Sequence, residues 1–528
     1  MTSPSPTAVL DAASTLGDVY RLQAEHRPDK TALTTLDGRS VTFGEINRRV
    51  NRLNHVAVGF GLRPGNRVAV LSRNRPEVVE AFGLTKSGLV VVPLNWRQTP
   101  AETLRILHHC TPALVLADDR GCAALEPLRE QWPAGMRLLS LDDSTPGWHS
   151  VAELIQDAPS DEPTAFSRPA DAACIVYTSG TTGRPKGATL THAGLLANAH
   201  TAATEMLGLS ESDRVAAVMP LFHVGGMWYH LFPSFAVGCS ALLLAEFDAG
   251  ILLRQLEARR ITNVHLVPTM ISALLDHHDC ASADLSHLRM LFYAASSMPA
   301  ELLSRTMQRL PRCDFAQSYG STEAGVVSLL SPRDHRRARE ENGAHLLASC
   351  GRPFREREVR LVDDNGRPVS AGVVGEVEVR SPGRMRSYWK DPTATSKAMD
   401  GEWLRTGDLA RCDDDGYFYI VDRRNDMIVS GGENVYPSEV EAALCSDPDV
   451  QEASVFGLPD PKWVQKVAAA VVLRPGAVAD EQTVLAWLRE RLAGYKCPKV
   501  VFFVDTLPKN ATGKIIRTAL RQRFEQAP

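Results

Sequence analysis

Residues 177–188 read YTSGTTGRPKGA, a glycine-rich segment that begins at the end of the apolar run ACIVY. Three glycines alternate with hydroxyl side chains, and a lysine stands near the end of the segment. A flexible turn after a buried strand can point backbone N–H groups, hydroxyls and an ammonium at one anion. The segment departs from the GxxxxGK pattern of P-loops, and an ordinary surface turn is the alternative. We therefore predict a phosphate-binding loop on an α/β scaffold, with donors at Thr178, Ser179, Gly180, Thr181, Thr182, Gly183 and Lys186.

Composition narrows the class of protein. The chain has 528 residues, 44% hydrophobic and 23% charged, with a formal net charge of -4. A chain of this length exceeds one hydrophobic core, and its charge gives no whole-chain field that favours nucleic acid or an anionic membrane. The ten cysteines stand singly with no CxxC pair, which indicates free thiols in a reducing compartment. With no leader-like start and no transmembrane-length apolar run, we expect a cytoplasmic protein.

Short apolar runs recur along the first two thirds of the chain, separated by helix-like segments. Continuous Val/Ile/Leu runs of this length are typical of parallel strands covered on both faces. They predict two doubly wound α/β sheets, one before and one after about residue 165. The runs are RVAVLS (67–72), ALVLAD (113–118), ACIVYTS (173–179), NVHLVPT (263–269) and MLFYAAS (290–296).

After about residue 350 the pattern changes to antiparallel strands. VRLVDDNGRPV (359–369) predicts a hairpin with Asn365-Gly366 at its turn, and GEVEVRS (375–381) alternates strictly. DGYFYIVD (415–422) adds a further strand of this small barrel-like part. Beyond residue 425, AAAVVL (468–473) and the amphipathic helix TVLAWLRERLAG, ending at Gly494, predict a small α+β domain.

The glycine-rich segment resembles the signature of the adenylate-forming superfamily, which comprises acyl-CoA synthetases, luciferase and peptide-synthetase adenylation domains. Further stretches match that family in order along almost the whole chain. They are PLFHVGGM (220–227), QSYGSTEAG (317–325), WLRTGDLA (403–410), DRRNDMIVSGGENVYPSEVE (422–441) and LPKNATGKIIR (507–517). The resemblance and the changes of pattern together predict an N-terminal adenylating domain at 1–424, with blocks at about 1–165, 166–349 and 350–424. A mobile C-terminal domain is expected at 425–528.

The resemblance implies a two-step reaction that uses ATP and Mg²⁺, with CoA as co-substrate. A carboxylate attacks the α-phosphate to give acyl-AMP and pyrophosphate, and a thiol then displaces AMP. It implies that Glu323 binds the metal, Thr322 the α-phosphate and Lys514 the reacting carboxylate. Tyr319 would stack on adenine, and Asp408 would accept hydrogen bonds from the ribose hydroxyls. The remaining nucleotide-binding residues expected from the matched motifs are Ala294, Ala295, Ser296, Gln317, Ser318, Gly320, Ser321, Tyr419 and Arg423.

The same resemblance implies where the acid and the thiol bind. His223 is expected at the carboxylate end of the acyl pocket, with Met227 and Ser318 also lining it. No Asp stands in PLFHVGGMWYHLF to hold a substrate ammonium, so a free α-amino acid is not expected. Asn425 matches the hinge position, and the CoA channel is assigned to Gly431, Gly432 and Glu433.

The leading hypothesis is an ATP-dependent acid:CoA ligase for a hydrophobic monocarboxylate, either aliphatic or aromatic. The first alternative adenylates an acid and passes the acyl group to a non-CoA acceptor, as a carrier protein or luciferase would require. A regulatory nucleotide-binding protein with a dead site is the second, and the retained charged residues of the motifs argue against it. The expected partners are therefore a carboxylic acid, ATP and CoA, without nucleic acid. A homodimer is left open.

Overall fold

The computed structural model describes residues 5–142, 145–164, 166–178, 185–296, 298–339, 343–424, 426–430, 433–460, 463–510 and 513–525. By its internal contacts the described chain divides into two compact units. The first comprises residues 1–347, 351–358 and 379–404, and the second comprises residues 348–350, 359–378 and 405–528. Over the described residues, none of the helices is both long and apolar enough to cross a membrane.

In the first unit the described residues form a large sheet of nine strands. The strands Met290–Tyr293, Asn263–Leu266, Arg214–Ala217 and Ser240–Leu243 run parallel to one another, as expected for apolar runs joined by helices. In spatial order they are Arg352–Pro353, Gly325–Leu330, Asp314–Ser321, Met290–Tyr293, Asn263–Leu266, Arg214–Ala217, Ser240–Leu243, Thr31–Thr34 and Ser40–Thr42. The helices beside this sheet supply a core of fully buried Leu, Ile and Val side chains.

A second sheet of the first unit has eight strands within the described residues. Six of them, from Ala172–Thr178 to His149–Ser150, pair in parallel, and two antiparallel strands close one edge. In spatial order they are Ser387–Tyr388, Lys186–Thr191, Ala172–Thr178, Val90–Leu94, Arg67–Leu71, Leu114–Ala117, Arg137–Ser140 and His149–Ser150.

The expected division of the two sheets at residue 165 is wrong, although each predicted strand forms. The hairpin 172–191 joins the sheet built from residues 67–150, because Val91 pairs with Cys174. The N-terminal strand Thr31–Thr34 joins the other sheet, where Leu33 pairs in parallel with Ala241. Pairing between distant strands sets sheet membership, and the local apolar pattern of a strand carries no information about its partner.

Helices cover the parallel strands, and their starts follow from local sequence. Thr42 and Thr99 each accept the backbone N–H of a Glu three residues on, which closes a capping box. The α-helices of the first unit are Ala8–Ala12, Leu16–His26, Phe43–Gly59, Pro76–Phe82, Pro100–Cys110, Asp119–Leu125, Val151–Gln156, His192–Thr201, Val224–Gly226, Phe232–Val237, Ala249–Ala258, Pro268–Asp276, Ala300–Arg309, Pro332–Arg337 and Pro392–Ala398. π-Helical turns lie at Ala202–Met206 and Met227–Leu231.

The second unit contains the predicted antiparallel strands. Gly366 has φ 76° at the turn of the predicted hairpin, where Asp363 N–H donates to Arg367 O. The strands of its first sheet are Glu358–Val362, Gly375–Arg380, Trp403–Cys412 and Phe418–Arg423, and the short strand Met399–Asp400 belongs to the first unit. The other contains Glu433–Val435, Ile428–Ser430, Val464–Leu473, Val450–Asp460 and Val500–Phe503, with helices Pro437–Cys445, Glu481–Arg489 and Arg517–Phe524.

The amphipathic helix of this unit ends earlier than its pattern predicts. It runs from Glu481 to Arg489, with Val484 and Leu488 fully buried, and does not reach Gly494. The next residues continue as turns, in which Leu492 N–H still donates to Leu488 O at 2.8 Å. The apolar pattern marks which face is buried and does not mark where regular hydrogen bonding stops.

Candidate active site

Three residues that are distant in sequence meet around one carboxylate in the first unit. The hydroxyls of Thr178 and Tyr388 both donate to Glu323 Oε1, each at 3.1 Å. Thr178 ends a strand of the eight-stranded sheet, and Glu323 follows a strand of the nine-stranded sheet. Sequence reasoning identified Thr178 and Glu323 as site residues, and the structure brings them into contact.

Backbone pairing places the two partners of this carboxylate. Tyr388 pairs with Ala188 in an antiparallel strand, so its side chain lies beside the end of the glycine-rich segment. Met385 N–H donates to Glu323 O at 2.7 Å, and Tyr229 Oη donates to Ser321 O at 3.0 Å. These two hydrogen bonds stabilise the turn that carries the carboxylate.

Both hydroxyls bind the same oxygen of Glu323, and this arrangement bears on metal binding. Over the described residues, Glu323 Oε2 accepts no hydrogen bond. Mg²⁺ prefers oxygen ligands, and one or two carboxylates with water and phosphate oxygens complete its shell. The residues present therefore fit a Mg²⁺ ion carried in by a nucleotide, with Oε2 as the protein ligand.

The glycine-rich segment is described only at its two ends. Thr178 Oγ1 lies 3.5 Å from Lys186 O, and the Lys186 ammonium lies 5.1 Å from the centre of the Tyr388 ring. That distance permits a cation–π contact. Some predicted site residues fall outside the described residues. They are Ser179, Gly180, Thr181, Thr182 and Gly183, together with Asn425 at the predicted hinge and Gly431 and Gly432 of the predicted CoA channel.

The expected adenine-side residues lie at the carboxyl ends of two neighbouring strands. Ala294, Ala295 and Ser296 directly follow the strand Met290–Tyr293, which pairs in parallel with the strand that carries residues 317–321. Ala295 has φ 76°, a left-handed conformation that costs energy for a residue with a Cβ atom. In parallel sheets, loops at the carboxyl ends of adjacent strands form the usual ligand crevice.

Two features of the strand 314–321 limit what can replace its residues. A Cβ atom on Gly320 would lie 2.3 Å from Gly325 O, so this position accepts only glycine without a backbone shift. Ser318 is buried, and its hydroxyl lies 3.3 Å from Tyr319 O. The amide oxygen of Gln317 is buried and has no hydrogen-bond partner among the described residues, which leaves it available to a donor on a ligand.

The expected acyl-pocket residues lie in a helical segment of the first unit. His223 caps the short helix Val224–Gly226, and its Nδ1 accepts the N–H of Gly225 at 3.2 Å. Desolvation lowers the pKa of His223 to about 4, so the ring is neutral at neutral pH. Met227 is fully buried, as is Trp228, which packs edge-on against Phe82 at 5.0 Å.

A second group of predicted residues meets within the second unit. Asp408 and Arg423 are opposite each other in neighbouring strands, with Arg423 Nε 3.1 Å from Asp408 Oδ1. Lys514 lies near both, since their charges act on it. Desolvation, together with repulsion from Arg423, lowers the pKa of Lys514 to about 8, and Asp408 opposes that shift. Three residues assigned from separate motifs thus form one charged cluster.

An arginine that sequence reasoning missed anchors the lysine segment. Arg517 donates to both oxygens of Glu441, at 2.7 Å and 2.9 Å, and to Asp426 at 3.0 Å. Its side chain is mostly buried, and these partners raise its pKa against desolvation. Because Arg517 lies three residues after Lys514, its contacts fix the position of the backbone from which the Lys514 side chain extends.

The remaining predicted site residues of the second unit lie at exposed or structural positions. Glu433 is exposed on the strand Glu433–Val435. Tyr419 donates its hydroxyl to Asp413 Oδ2 at 3.0 Å, which uses its polar group within the sheet. Tyr229 and Arg517 could have been found by their position beside or inside the matched motifs, whereas Tyr388 lies far from every matched motif. Each of the three acts through a partner distant in sequence.

Similarity to known proteins extends over most of the chain. The profile of the AMP-binding enzyme family matches residues 20–389, and that of the AMP-binding enzyme C-terminal domain matches residues 439–514. A feruloyl-CoA synthase from Amycolatopsis sp is 39% identical over 504 residues, which cover 95% of this chain and 97% of the relative.

Two further proteins show the range of similar chains. The long-chain-fatty-acid–CoA ligase FadD13 from Mycobacterium tuberculosis is 33% identical over 491 residues, covering 92% of this chain and 93% of the relative. The crystal structure of the anthranilate CoA ligase AuaEII in complex with anthranoyl-AMP superposes with a TM-score of 0.87 at 32% identity. It covers 97% of this chain and 98% of that one.

Proposed function

Because this chain belongs to the AMP-binding enzyme family, we propose that it activates a hydrophobic monocarboxylic acid as an acyl-adenylate and transfers the acyl group to CoA. The relatives named above are acyl- and aryl-CoA ligases that match nearly the whole chain, and the chain is an AMP-forming acid–thiol ligase. Ligases of this class use ATP, Mg²⁺ and CoA. The identity of the acid and the roles of individual residues are the proposal.

The charged cluster of Lys514, Asp408 and Arg423 is the observation that most supports the proposal. In the first step a carboxylate attacks the α-phosphate, its C–O⁻ oxygen bonds to phosphorus, and pyrophosphate leaves with the electron pair. An ammonium near the reacting oxygens offsets the repulsion between two anions. With a pKa of about 8, Lys514 is mostly protonated at neutral pH and can serve that role. Asp408 can accept hydrogen bonds from the ribose hydroxyls.

Residues of the first unit would hold the leaving pyrophosphate. Glu323 Oε2 would hold a Mg²⁺ ion, which supplies positive charge to the phosphate oxygens. Thr322 is buried beside it and offers a hydroxyl to the α-phosphate. Lys186 adds a point charge near Tyr388. In the second step the CoA thiol loses a proton, its sulfur attacks the acyl carbon, and AMP leaves.

The residues near His223 support the proposal that the substrate is a hydrophobic acid. Since Nδ1 of His223 accepts the Gly225 N–H, its proton is on Nε2, which can donate to the substrate carboxylate. Met227, Trp228 and Phe232 follow in one buried helical segment. Over residues 223–237 no acidic side chain is present to pair with an ammonium. The relatives named above differ in their acids, being named for feruloyl, long-chain fatty and anthranilate groups.

The test is to mix the protein with ATP, Mg²⁺, CoA and a panel of aryl and alkyl monocarboxylic acids, and to identify products by mass spectrometry. We expect an acyl-CoA together with AMP and pyrophosphate. Lys514→Ala should lower the acyl-AMP-forming rate roughly 10²–10³-fold, as loss of an oxyanion-stabilising donor does elsewhere. Lys397→Ala, an exposed lysine outside both clusters, is the matched control and should retain the wild-type rate.

Two outcomes would overturn parts of this proposal. Accumulation of acyl-adenylate without any thioester would indicate that the acyl group goes to an acceptor other than CoA, which is the alternative hypothesis. Equal rates for the Lys514 and Lys397 variants would remove Lys514 from the reaction. The ten unpaired cysteines agree with a reducing, cytoplasmic location, and a homodimer stays an untested prediction.

A further inference from the structure

In the first unit, an open cleft of about 300 Å³ lies where the edge strand Ser40–Thr42 continues into the helix Phe43–Gly59. This volume is at the lower end of the range for small-molecule sites. Four of the lining residues are arginines and one is a glutamate, so the cleft is cationic although the whole chain has a formal net charge of -4. The lining residues of this arginine cleft are Arg39, Ser40, Val41, Glu45, Arg48, Arg49 and Arg52.

The arginine cleft is distant from the carboxylate proposed to hold the metal. Its strand Ser40–Thr42 forms one edge of the nine-stranded sheet, and Glu323 follows the strand Asp314–Ser321, the third from the other edge. Five strands lie between these two. At about 4.8 Å per strand, they are roughly 29 Å apart along the sheet. A ligand in the cleft would therefore occupy a site separate from Glu323.

Buried carboxylates hold two of the four arginines in place. Arg39 Nη1 lies 2.6 Å from Glu77 Oε1, and Arg49 Nε lies 2.7 Å from Glu80 Oε1. Both glutamates belong to the helix Pro76–Phe82 and lie outside the lining of the cleft. A guanidinium has five N–H donors, so each ion pair leaves further donors for a ligand. The two ion pairs thus orient these arginines without using all their donors.

The other two arginines, Arg48 and Arg52, form no ion pair or hydrogen bond within the described part of the chain. They are four residues apart in one helix, so they lie on one face, where like charges repel. The acidic residue of the lining does not neutralise them, because Glu45 accepts the Thr42 N–H at 2.8 Å as part of the capping box. An anion bound to Arg48 and Arg52 would remove their repulsion.

The chemistry of the lining favours a phosphate group. A phosphate monoester carries about two negative charges and three acceptor oxygens, and the planar guanidinium matches it with two parallel hydrogen bonds. Ser40 adds a hydroxyl, and Val41 is the one apolar residue of the lining. We propose that the arginine cleft binds a phosphate monoester, carried by a small metabolite or by a lipid headgroup, through Arg48 and Arg52. This binding is independent of the ligase reaction.

A phosphorus NMR titration of the full chain with inorganic phosphate and with glycerol phosphate tests the proposal. We expect both probes to bind, and Arg48→Ala and Arg52→Ala each to weaken binding about tenfold or more, because each removes a charge-assisted hydrogen bond. Arg105→Ala, at an exposed arginine of the helix Pro100–Cys110, is the matched control and should bind as the wild type does. Absence of binding to the wild type, or equal affinities of the Arg48 and Arg105 variants, would overturn the proposal.

The proposed nucleotide site also has groups that bind phosphate, so a second comparison separates the two sites. Lys186→Ala removes the ammonium near Tyr388 and should leave the affinity for glycerol phosphate unchanged. Loss of binding in Lys186→Ala with full binding in Arg48→Ala would assign the phosphate to the nucleotide site and overturn the proposal. Arg48 is exposed, so its substitution should not impair folding. The titration contains no acid, ATP or CoA, so failure of the ligase function would not alter its result.

Vesicles distinguish the two sources of the phosphate. Phosphatidic acid carries a phosphate monoester, so the protein is sedimented with phosphatidylcholine vesicles that contain or lack it. A lipid headgroup as the ligand predicts sedimentation that requires phosphatidic acid and is lost in Arg48→Ala. A soluble metabolite predicts binding of glycerol phosphate that depends on Arg48, without sedimentation. Either result supports a phosphate site in the arginine cleft, and binding that depends on Arg48 in neither assay would overturn it.

Discussion

The charge of Lys514 depends strongly on its surroundings. Desolvation and the neighbouring Arg423 lower its pKa to about 8. Its ammonium is present below that pH and is lost as the pH rises through it. We therefore expect acid-dependent ATP–pyrophosphate exchange to decline above about pH 8, measured from neutral to alkaline pH. Lys514→Arg keeps its charge there, so its lower rate should not decline. A wild-type rate that is flat across this range would contradict the role of Lys514.

Tyr388 is predicted to orient the metal-binding carboxylate. Tyr388→Phe removes one of the two hydrogen bonds to Glu323 Oε1, a change of about 0.5–1.5 kcal/mol. We expect Mn²⁺–ATP to bind roughly 2- to 10-fold more weakly by calorimetry, and ATP without metal to bind as before. Tyr495→Phe, at an exposed tyrosine, is the matched control. Equal weakening with and without metal would indicate a general structural effect instead.

Residue types at the site followed from the sequence, but their contacts did not. The motifs identified Thr178 and Glu323 separately; Thr178 ends a strand of one sheet, and Glu323 follows a strand of the other. Tyr388 went unnoticed because its role comes from a two-residue strand that pairs with Lys186–Thr191. A residue that acts through a partner distant in sequence leaves no local pattern.

At the level of elements, the C-terminal helix Arg517–Phe524 depends on one buried ion-pair cluster. Arg517→Ala would leave Glu441 buried beside Asp422 and Asp426 without its arginine. The free energy of unfolding should fall by about 3–5 kcal/mol. We expect hydrogen exchange in this helix to accelerate and adenylation to slow, because Lys514 precedes it. Arg523→Ala, an exposed position in the same helix, should change exchange little. Unchanged protection in the Arg517 variant would contradict the anchoring role.

Elements were predicted better than their pairing. All five apolar runs of the first two thirds form strands, and the turn at Gly366 lies where Asn-Gly indicated. The helix from Glu481 ends before its pattern predicts, and the two sheets exchange strands across residue 165. Strand formation follows local apolar composition, whereas sheet membership follows contacts between distant segments.

For the whole molecule, the ten cysteines give a simple test of the fold. All are free; eight are buried, Cys412 is intermediate and Cys445 is exposed. We expect an aromatic disulfide reagent to modify Cys445 first in the native protein, and all ten thiols after denaturation. Cys445→Ser should remove the first reaction. Fewer than ten thiols in the denatured, unreduced protein would indicate a disulfide, against the predicted reducing compartment.

The sequence by itself determined the family and predicted the two-step chemistry and the residue types that bind nucleotide, because phosphate, ribose and metal each demand particular side chains in motifs of a few residues. Only the tertiary structure decided how those residues meet. It placed two hydroxyls on one oxygen of Glu323, brought Lys514 near the Asp408–Arg423 pair, and buried His265 and Asn263, each with a polar atom that has no partner among the described residues. Hydrogen bonding and desolvation depend on neighbours that strand pairing brings together, and no local pattern records them.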